Sequence, residues 1–143
     1  MTATNAARQH ARGRFGARLL GERGAAAVEF ALVVPLLVLV LLGIVEFSRA
    51  FQVQATLAAA AREGARVMVL TNDETRATGA VRGAASSLDL GPGQITVAPD
   101  TCSGTDVTET ITVTVRFTQP FVSGLLGGAG VDLTGKAVMR CGG

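Results

Sequence analysis

Hydrophobic positions are concentrated in one uninterrupted stretch near the start of the chain. Residues 25–45 are 21 consecutive positions with a single charged residue, Glu29. As an α-helix this stretch is about 31 Å long, which matches the roughly 30 Å hydrocarbon core of a bilayer. The pattern therefore predicts a membrane-spanning helix, with one carboxylate near its first end that requires an explanation.

The helical period continues beyond the apolar stretch and predicts that the same helix extends to Leu70 with one apolar stripe. That stripe comprises Phe47, Phe51, Leu57, Ala58, Ala61, Ala65 and Met68. A polar cap at residues 71–74 then predicts a second helix from Asp73 to Leu88, which the Gly-Pro-Gly sequence at 91–93 ends. The second helix is expected to bury Ala77, Val81, Ala84, Ala85 and Leu88.

After residue 93 the period of the apolar positions changes to two, which indicates strands. The predicted strands are residues 94–98, 107–117 and 131–140, and a glycine-rich apolar loop over 120–130 separates the last two. The predicted buried face of the middle strand carries Val107, Ile111, Val113, Val115 and Phe117, together with Glu109. The predicted fold class is α+β: a long N-terminal transmembrane helix that continues into a small domain of a second helix and a three-stranded antiparallel sheet.

Charge is distributed unevenly about the apolar stretch. Residues 1–24 carry five arginines and one glutamate, a net charge of +4, whereas residues 46–143 carry eight basic and nine acidic groups, a net charge of −1. By the positive-inside rule the basic segment is predicted to stay in the cytoplasm and residues 46–143 to be exported. Residues 1–22 have no apolar period, so we expect them to be mostly disordered.

Nucleic acid is not an expected partner. A basic tail is also typical of segments that bind nucleic acid, but directly before a spanning helix it indicates topology. Aromatic residues make up 4% of the chain, with no Trp and no Tyr, which argues against a surface for stacking bases.

The two cysteines, Cys102 and Cys141, both lie in the part that is predicted to be exported. An even number of cysteines in an oxidising compartment favours a disulfide. Such a bond would close a loop of about 40 residues and stabilise the fold by about 4 kcal/mol through loop entropy. The alternative is two free, small, buried side chains.

Candidate catalytic chemistry is sparse. The only histidine is His10, in the segment predicted to be cytoplasmic, so a histidine-based zinc site or catalytic triad is not expected. The acidic residues Asp73 and Glu74, and Asp100 and Asp106, are more typical of helix caps and turns. The glycine-rich loop lacks the Gly-Lys-Ser/Thr ending of a phosphate loop. The sequence therefore predicts no catalytic residues, no metal site and no cofactor, and a protein that is not an enzyme.

The start of the apolar stretch has a distinctive order of residues. Arg23-Gly24 is followed by four small or apolar residues and then by Glu29-Phe30. Cleavage after Gly24 would make Ala25 the first residue and place a new ammonium group one helical turn from the Glu29 carboxylate. Mutual neutralisation, within a chain or between packed chains, would avoid the few kcal/mol that an unpaired carboxylate costs in lipid. The alternative is that Glu29 simply lies at the membrane boundary.

This junction resembles the prepilin signature of the type IV pilin superfamily. It is most similar to the Tad (tight adherence, Flp pilus) branch, whose pattern is a glycine, four residues, a glutamate and an aromatic residue. The sequence at 24–37 and the Ala-Ala-Arg-Glu-Gly-Ala-Arg run at 60–66 resemble the TadE-like minor pilins, or pseudopilins, of that system. Phe30 stands where major Flp pilins usually have tyrosine, and the chain is far longer than a major pilin. Both departures indicate a minor component.

The resemblance implies a pilin-like fold and cleavage between Gly24 and Ala25 by a membrane aspartic prepilin peptidase. It assigns Glu29 and Phe30 to recognition and assembly. The implied partners are this peptidase, other Tad pilins and pseudopilins, the pilus assembly platform and membrane lipid. The implied location is the bacterial cytoplasmic (inner) membrane, crossed once with the N-terminus inside, and the pilus after assembly.

The resulting domain organisation is a cleaved basic leader over 1–24, a transmembrane helix over 25–45 and an extracytoplasmic domain over 46–143. Two other interpretations remain open. One is an uncleaved, membrane-anchored binding or sensor domain. The other is a secreted protein with a conventional signal peptide, for which Ser48-Arg49-Ala50 is a poor cleavage site.

Overall fold

The computed structural model describes residues 14–102, 108–122, 124 and 127–141, with the backbone alone for 14–23. Its elements are helix α1 (Arg14–Thr71), helix α2 (Glu74–Ala84) and strands β1 (Ile95–Ala98), β2 (Thr110–Pro120) and β3 (Gly130–Arg140). The predicted α+β class is confirmed, as is the order of two helices followed by a three-stranded antiparallel sheet. The predicted first residue of the middle strand, Val107, lies outside the described residues.

The chain divides into two units, and the division falls between Gly43 and Ile44 in the sequence. Within the first unit, α1 is helical from Arg14 onward and includes Pro35. The prediction of disorder is therefore wrong for residues 14–22, while residues 1–13 lie outside the described part of the chain. The reason is that this segment contains alanine, leucine and arginine, which are strong helix formers, directly before a helix that is already nucleated.

The sheet has the strand order β1-β2-β3, with both pairs antiparallel. On β2 the side chains of Ile111, Val113 and Val115 are fully buried, which confirms the predicted face, and Phe117 is half-buried. Because successive side chains of a strand point to opposite sides, the odd-numbered residues of the three strands form an inner face that packs on the helices. The even-numbered residues form an outer face.

In the second unit α1 packs on the sheet from about Val53 onward. The fully buried side chains of α1 are Leu57, Ala60, Ala61, Ala65 and Met68. Not all of the apolar stripe is buried, since Phe47 and Phe51 are 74% and 67% exposed and Ala58 is half-buried. The Gln54 side chain donates to the Thr134 carbonyl of β3 at 2.9 Å, so both phenylalanines lie before the turn that meets the strand. Helical periodicity continues along the chain whether or not a packing partner is present.

Helix α2 begins where the sequence predicts. Asp73 is its N-cap, and the carboxylate accepts hydrogen bonds from the backbone N–H groups of Thr75 and Arg76 at 2.9 and 3.1 Å. The predicted end is wrong, since the helix stops at Ala84 and not at Leu88. The next residue, Ala85, has non-helical dihedral angles, so the chain turns there. Ala77, Val81 and Ala85 are buried as predicted, Leu88 is half-buried, and Ala84 is exposed.

Two glycines permit close packing against α1. A Cβ at Gly64 would overlap the Val81 side chain of α2 and lie 3.3 Å from the Ala77 carbonyl oxygen. A Cβ at Gly135 of β3 would overlap the Leu57 carbonyl of α1. At each of these glycines, α1 approaches its neighbour, α2 or β3, with no side chain from the glycine between them.

We expect Gly135→Ala to destabilise the protein by about 1–3 kcal/mol, because the obstacle is helix backbone, which cannot rotate away as a side chain can. Thermal unfolding of the full chain in detergent, followed by circular dichroism, measures the change. The matched control is Gly79→Ala in α2, where an added Cβ meets nothing within 4 Å. The control should stabilise by about 0.5–1 kcal/mol, and equal stability of the two variants would contradict the packing argument.

Candidate processing and assembly site

The four residues predicted to form the processing and assembly site lie together on α1. Gly24, Ala25, Glu29 and Phe30 are all helical and exposed. Residues four apart share a face of a helix, so the structure brings the backbone nitrogen of Ala25 and the Glu29 side chain to the same face. The bond between Gly24 and Ala25 is itself part of the helix.

Glu29 is an exposed, charged side chain in the apolar part of α1. Among the side chains that the structure describes, none forms a hydrogen bond or ion pair with its carboxylate. Its neighbours Val28 and Phe30 are 62% and 70% exposed. A helix that is apolar on all sides requires lipid or other helices around it. The Glu29 carboxylate therefore lies on a surface suited to lipid or other helices, without a partner among the described residues.

Gly24 packs against none of the residues that the structure describes. A Cβ at this position would meet nothing within 4 Å, unlike at Gly64 or Gly135. Glycine inside a helix costs about 0.5–1 kcal/mol relative to alanine, so it weakens α1 without a compensating contact. Gly43 shares this open environment, so openness alone does not mark a site.

The apolar part of α1 is suited to a bilayer. Within the described residues, one helix is long and apolar enough to cross a membrane, and its most apolar portion is not buried against the rest of the protein. The predicted spanning segment therefore has the required length, composition and exposure.

Comparison with known proteins identifies the segment that contains these residues. Residues 24–66 match the family model described as TadE-like protein. This segment is TadE-like. No curated protein and no solved structure matches the chain. The matched segment starts at Gly24 and includes Glu29 and Phe30, so the resemblance seen in the sequence is confirmed where the site residues lie.

The end of the TadE-like segment is a packing element in which the sequence pattern indicated Ala61 and Ala65 but not Ala60 and Gly64. Ala60, Ala61, Gly64 and Ala65 are buried, and at Gly64 the nearest neighbours come from α2 and β2. Small residues at this helical spacing are the signal that could have predicted a close approach. On the exposed side Glu63 and Arg66 form an ion pair at 2.7 Å, and the hydrogen bond from Arg66 lowers the pKa of Glu63.

The predicted disulfide is present between Cys102 and Cys141, with the two Cα atoms 5.6 Å apart. The Cys141 N–H donates to the Glu109 carbonyl at 2.9 Å, which extends the pairing of β2 and β3 by one residue. The Cys102 N–H donates to the side-chain oxygen of Asn72, between α1 and α2, at 2.6 Å. The disulfide thus ties the segment after β1 to the end of β3, and the hydrogen bond to Asn72 ties the same segment to the turn between the helices.

No group of three or more metal-ligating side chains occurs within the parts of the chain that the structure describes. His10, Asp106 and the other residues outside those parts are not covered by this observation. The expected absence of catalysis and cofactors stays a prediction.

Proposed function

We propose that this chain is a minor pilin, or pseudopilin, of a Tad/Flp-type pilus, incorporated in the pilus or needed for pilus assembly, adherence or secretion. A prepilin peptidase cuts it after Gly24. The observation that carries the proposal is the TadE-like match over residues 24–66, which begins at Gly24 on an exposed apolar helix. The chain serves as a peptidase substrate and a structural subunit, not as an enzyme.

The proposed topology places residues 1–24 in the cytoplasm and residues 46–143 outside it. The charge difference of +4 against −1 across the apolar helix favours this orientation. The disulfide between Cys102 and Cys141 supports it as well, because such bonds form and persist in oxidising compartments. The proposed partners are the peptidase, other Tad pilins and pseudopilins, and the assembly platform of the same membrane.

The geometry of α1 suggests why a glycine precedes the proposed cut. The bond between Gly24 and Ala25 is helical, so the helix must open locally before a peptidase can reach that bond. Glycine lowers the cost of opening because it is a poor helix former. Among the described residues, no packing contact around Gly24 offsets this weakness.

Cleavage would also give Glu29 an electrostatic partner. A new helix N-terminus at Ala25 carries an ammonium charge and the positive end of the helix dipole. Helical side chains lean towards the N-terminus, so the Glu29 carboxylate leans towards that charge. The same carboxylate can instead pair with the ammonium of a neighbouring chain, which would fix the axial position of one helix against another.

Mass spectrometry of the protein purified from its native membrane or pili tests the proposal by locating the mature N-terminus. A chain that starts at Ala25 supports processing after Gly24. An intact chain supports the uncleaved membrane-anchored binding or sensor domain. A start at Phe51 supports a conventional signal peptide and contradicts both.

We expect Glu29→Ala to reduce surface pili by about tenfold or more, because an ammonium left unpaired in an apolar bundle costs more than the 1.4 kcal/mol of a tenfold effect. Electron microscopy and the amount of sheared pilin measure the defect. Glu29→Asp is the matched control, since it keeps the charge and should retain more pili. Wild-type piliation by the alanine variant would contradict the assembly role.

A further inference from the structure

The outer face of the sheet combines exposed cations with threonine hydroxyls. Arg116 of β2 and Lys136 and Arg140 of β3 are all exposed there. None of the three forms an ion pair within the described part of the chain. Residues 46–143 have a net charge of −1, yet three of their eight basic groups gather on this one face.

The strand register places a threonine directly opposite each of these cations. Arg116 lies opposite Thr134, Lys136 opposite Thr114, and Arg140 opposite Thr110. Directly opposed residues have Cβ atoms about 4.5–5.5 Å apart, so each cation stands beside one hydroxyl. These three threonine side chains form no hydrogen bond to any described residue. We call the three units cation–threonine pairs.

A fourth cross-strand pair of the same face shows what a threonine hydroxyl does when a carboxylate is its neighbour. Thr118 lies opposite Asp132, and its hydroxyl donates to the carboxylate at 2.6 Å. In the three cation–threonine pairs a cation replaces that carboxylate, so each pair offers both a positive charge and a hydroxyl donor to an anion from outside.

The cation–threonine pairs form a row along the strands. At about 3.3 Å per residue, Arg116 and Lys136 are separated by about 7 Å along the strand direction, and Lys136 and Arg140 by about 13 Å. Arg116 and Lys136 are diagonal neighbours of like charge, which repel each other unless an anion lies between them. The row therefore fits an extended ligand about 20 Å long with repeated negative groups.

The chemistry of the face favours a sugar polymer over other polyanions. No aromatic residue lies on its described part, so it offers no surface on which bases could stack. Among the described residues of this face, Val138 is the exposed large hydrophobic side chain, and one valine offers little apolar area for insertion into a membrane. Hydroxyl groups and cations in alternation match the hydroxyl and carboxylate groups of an acidic polysaccharide.

We propose that the outer face binds an extended acidic polysaccharide of the uronate class, with one carboxylate received by each cation–threonine pair. The inference rests on the proposed function in one respect, which is that the face lies outside the cell. It does not depend on cleavage after Gly24 or on incorporation into a pilus.

The test uses the full chain in uncharged detergent micelles and measures binding of alginate, neutral dextran and duplex DNA by titration calorimetry. We expect alginate to bind, more weakly as salt is added, and dextran and DNA not to bind comparably. The triple variant Arg116→Gln, Lys136→Gln, Arg140→Gln should weaken alginate binding about tenfold or more. The control triple variant Arg49→Gln, Arg62→Gln, Arg82→Gln removes the same charge from α1 and α2 and should leave the affinity unchanged.

A second pair of variants tests the hydroxyl groups without any change of charge. Thr114→Val with Thr134→Val removes two hydroxyls that lie opposite cations and should weaken binding about fivefold. Thr96→Val with Thr112→Val removes two hydroxyls of the same face that do not lie opposite a cation and should have no effect.

Four results would overturn the proposal: no alginate binding, DNA binding as tight as alginate, equal loss in the two charge variants, or equal affinity of the two threonine variants. The mature N-terminus and the pili report on the proposed function separately, so failure of one proposal does not imply failure of the other.

Discussion

Gly24→Leu is expected to abolish processing, so that the purified protein keeps residues 1–24. The described residues do not obstruct a side chain here, because a Cβ at this position meets none of them within 4 Å. Leucine is also a strong helix former, whereas glycine costs about 0.8–1 kcal/mol relative to alanine, so α1 should remain intact. The defect should therefore arise where the peptidase binds its substrate, at the small residue before the cut. The mass of the mature chain measures it.

Gly43→Leu is the matched control for this variant. Gly43 lies in the same helix, and a Cβ there also meets nothing within 4 Å, but it lies far from the proposed cut. The control should be processed to a chain that starts at Ala25. If Gly24→Leu were processed like the control, cleavage would not require a small residue at position 24, and the role proposed for Gly24 would be wrong.

Removal of the disulfide by Cys102→Ser with Cys141→Ser is expected to cost about 4 kcal/mol of stability. The bond joins residues 39 positions apart, so its loss frees a long loop in the unfolded chain. Domains are stable by about 5–15 kcal/mol in total, and this small domain relies on a modest core of alanine and valine side chains. Unfolding of the domain on heating, measured by circular dichroism in detergent, should shift to a markedly lower temperature.

Reduction of the wild-type protein supplies the control for the cysteine variant. A thiol reductant should lower the unfolding temperature of the wild type towards that of the double serine variant and should leave the variant itself unchanged. If the reductant destabilised both proteins equally, or neither, the contribution assigned to the bond between Cys102 and Cys141 would be wrong.

The sequence determined those features that depend on neighbouring residues. The apolar run of residues 25–45 predicts α1, the Asp73 cap predicts the start of α2, and alternation predicts the buried face of β2. Gly24 and Glu29 could be singled out as well, because their spacing is local and the TadE-like match contains it. These predictions succeed since helix capping and side-chain periodicity act over only a few positions.

The tertiary structure decided which of the residues in those patterns are buried and which distant residues they contact. Periodicity alone extends the apolar stripe to Phe47 and Phe51, but burial requires the sheet, which meets α1 from about Val53 onward. Position 135 requires a glycine only because α1, some eighty residues earlier in the chain, packs against it. The hydrogen bond from Gln54 to Thr134 spans a similar distance in sequence.

The cation–threonine pairs, likewise, exist only because the register of β2 against β3 sets Lys136 opposite Thr114. A shift of that register by one residue would turn those side chains towards the opposite face of the sheet. Residues far apart in sequence acquire a shared role through packing and register, and no pattern within a short window contains that information.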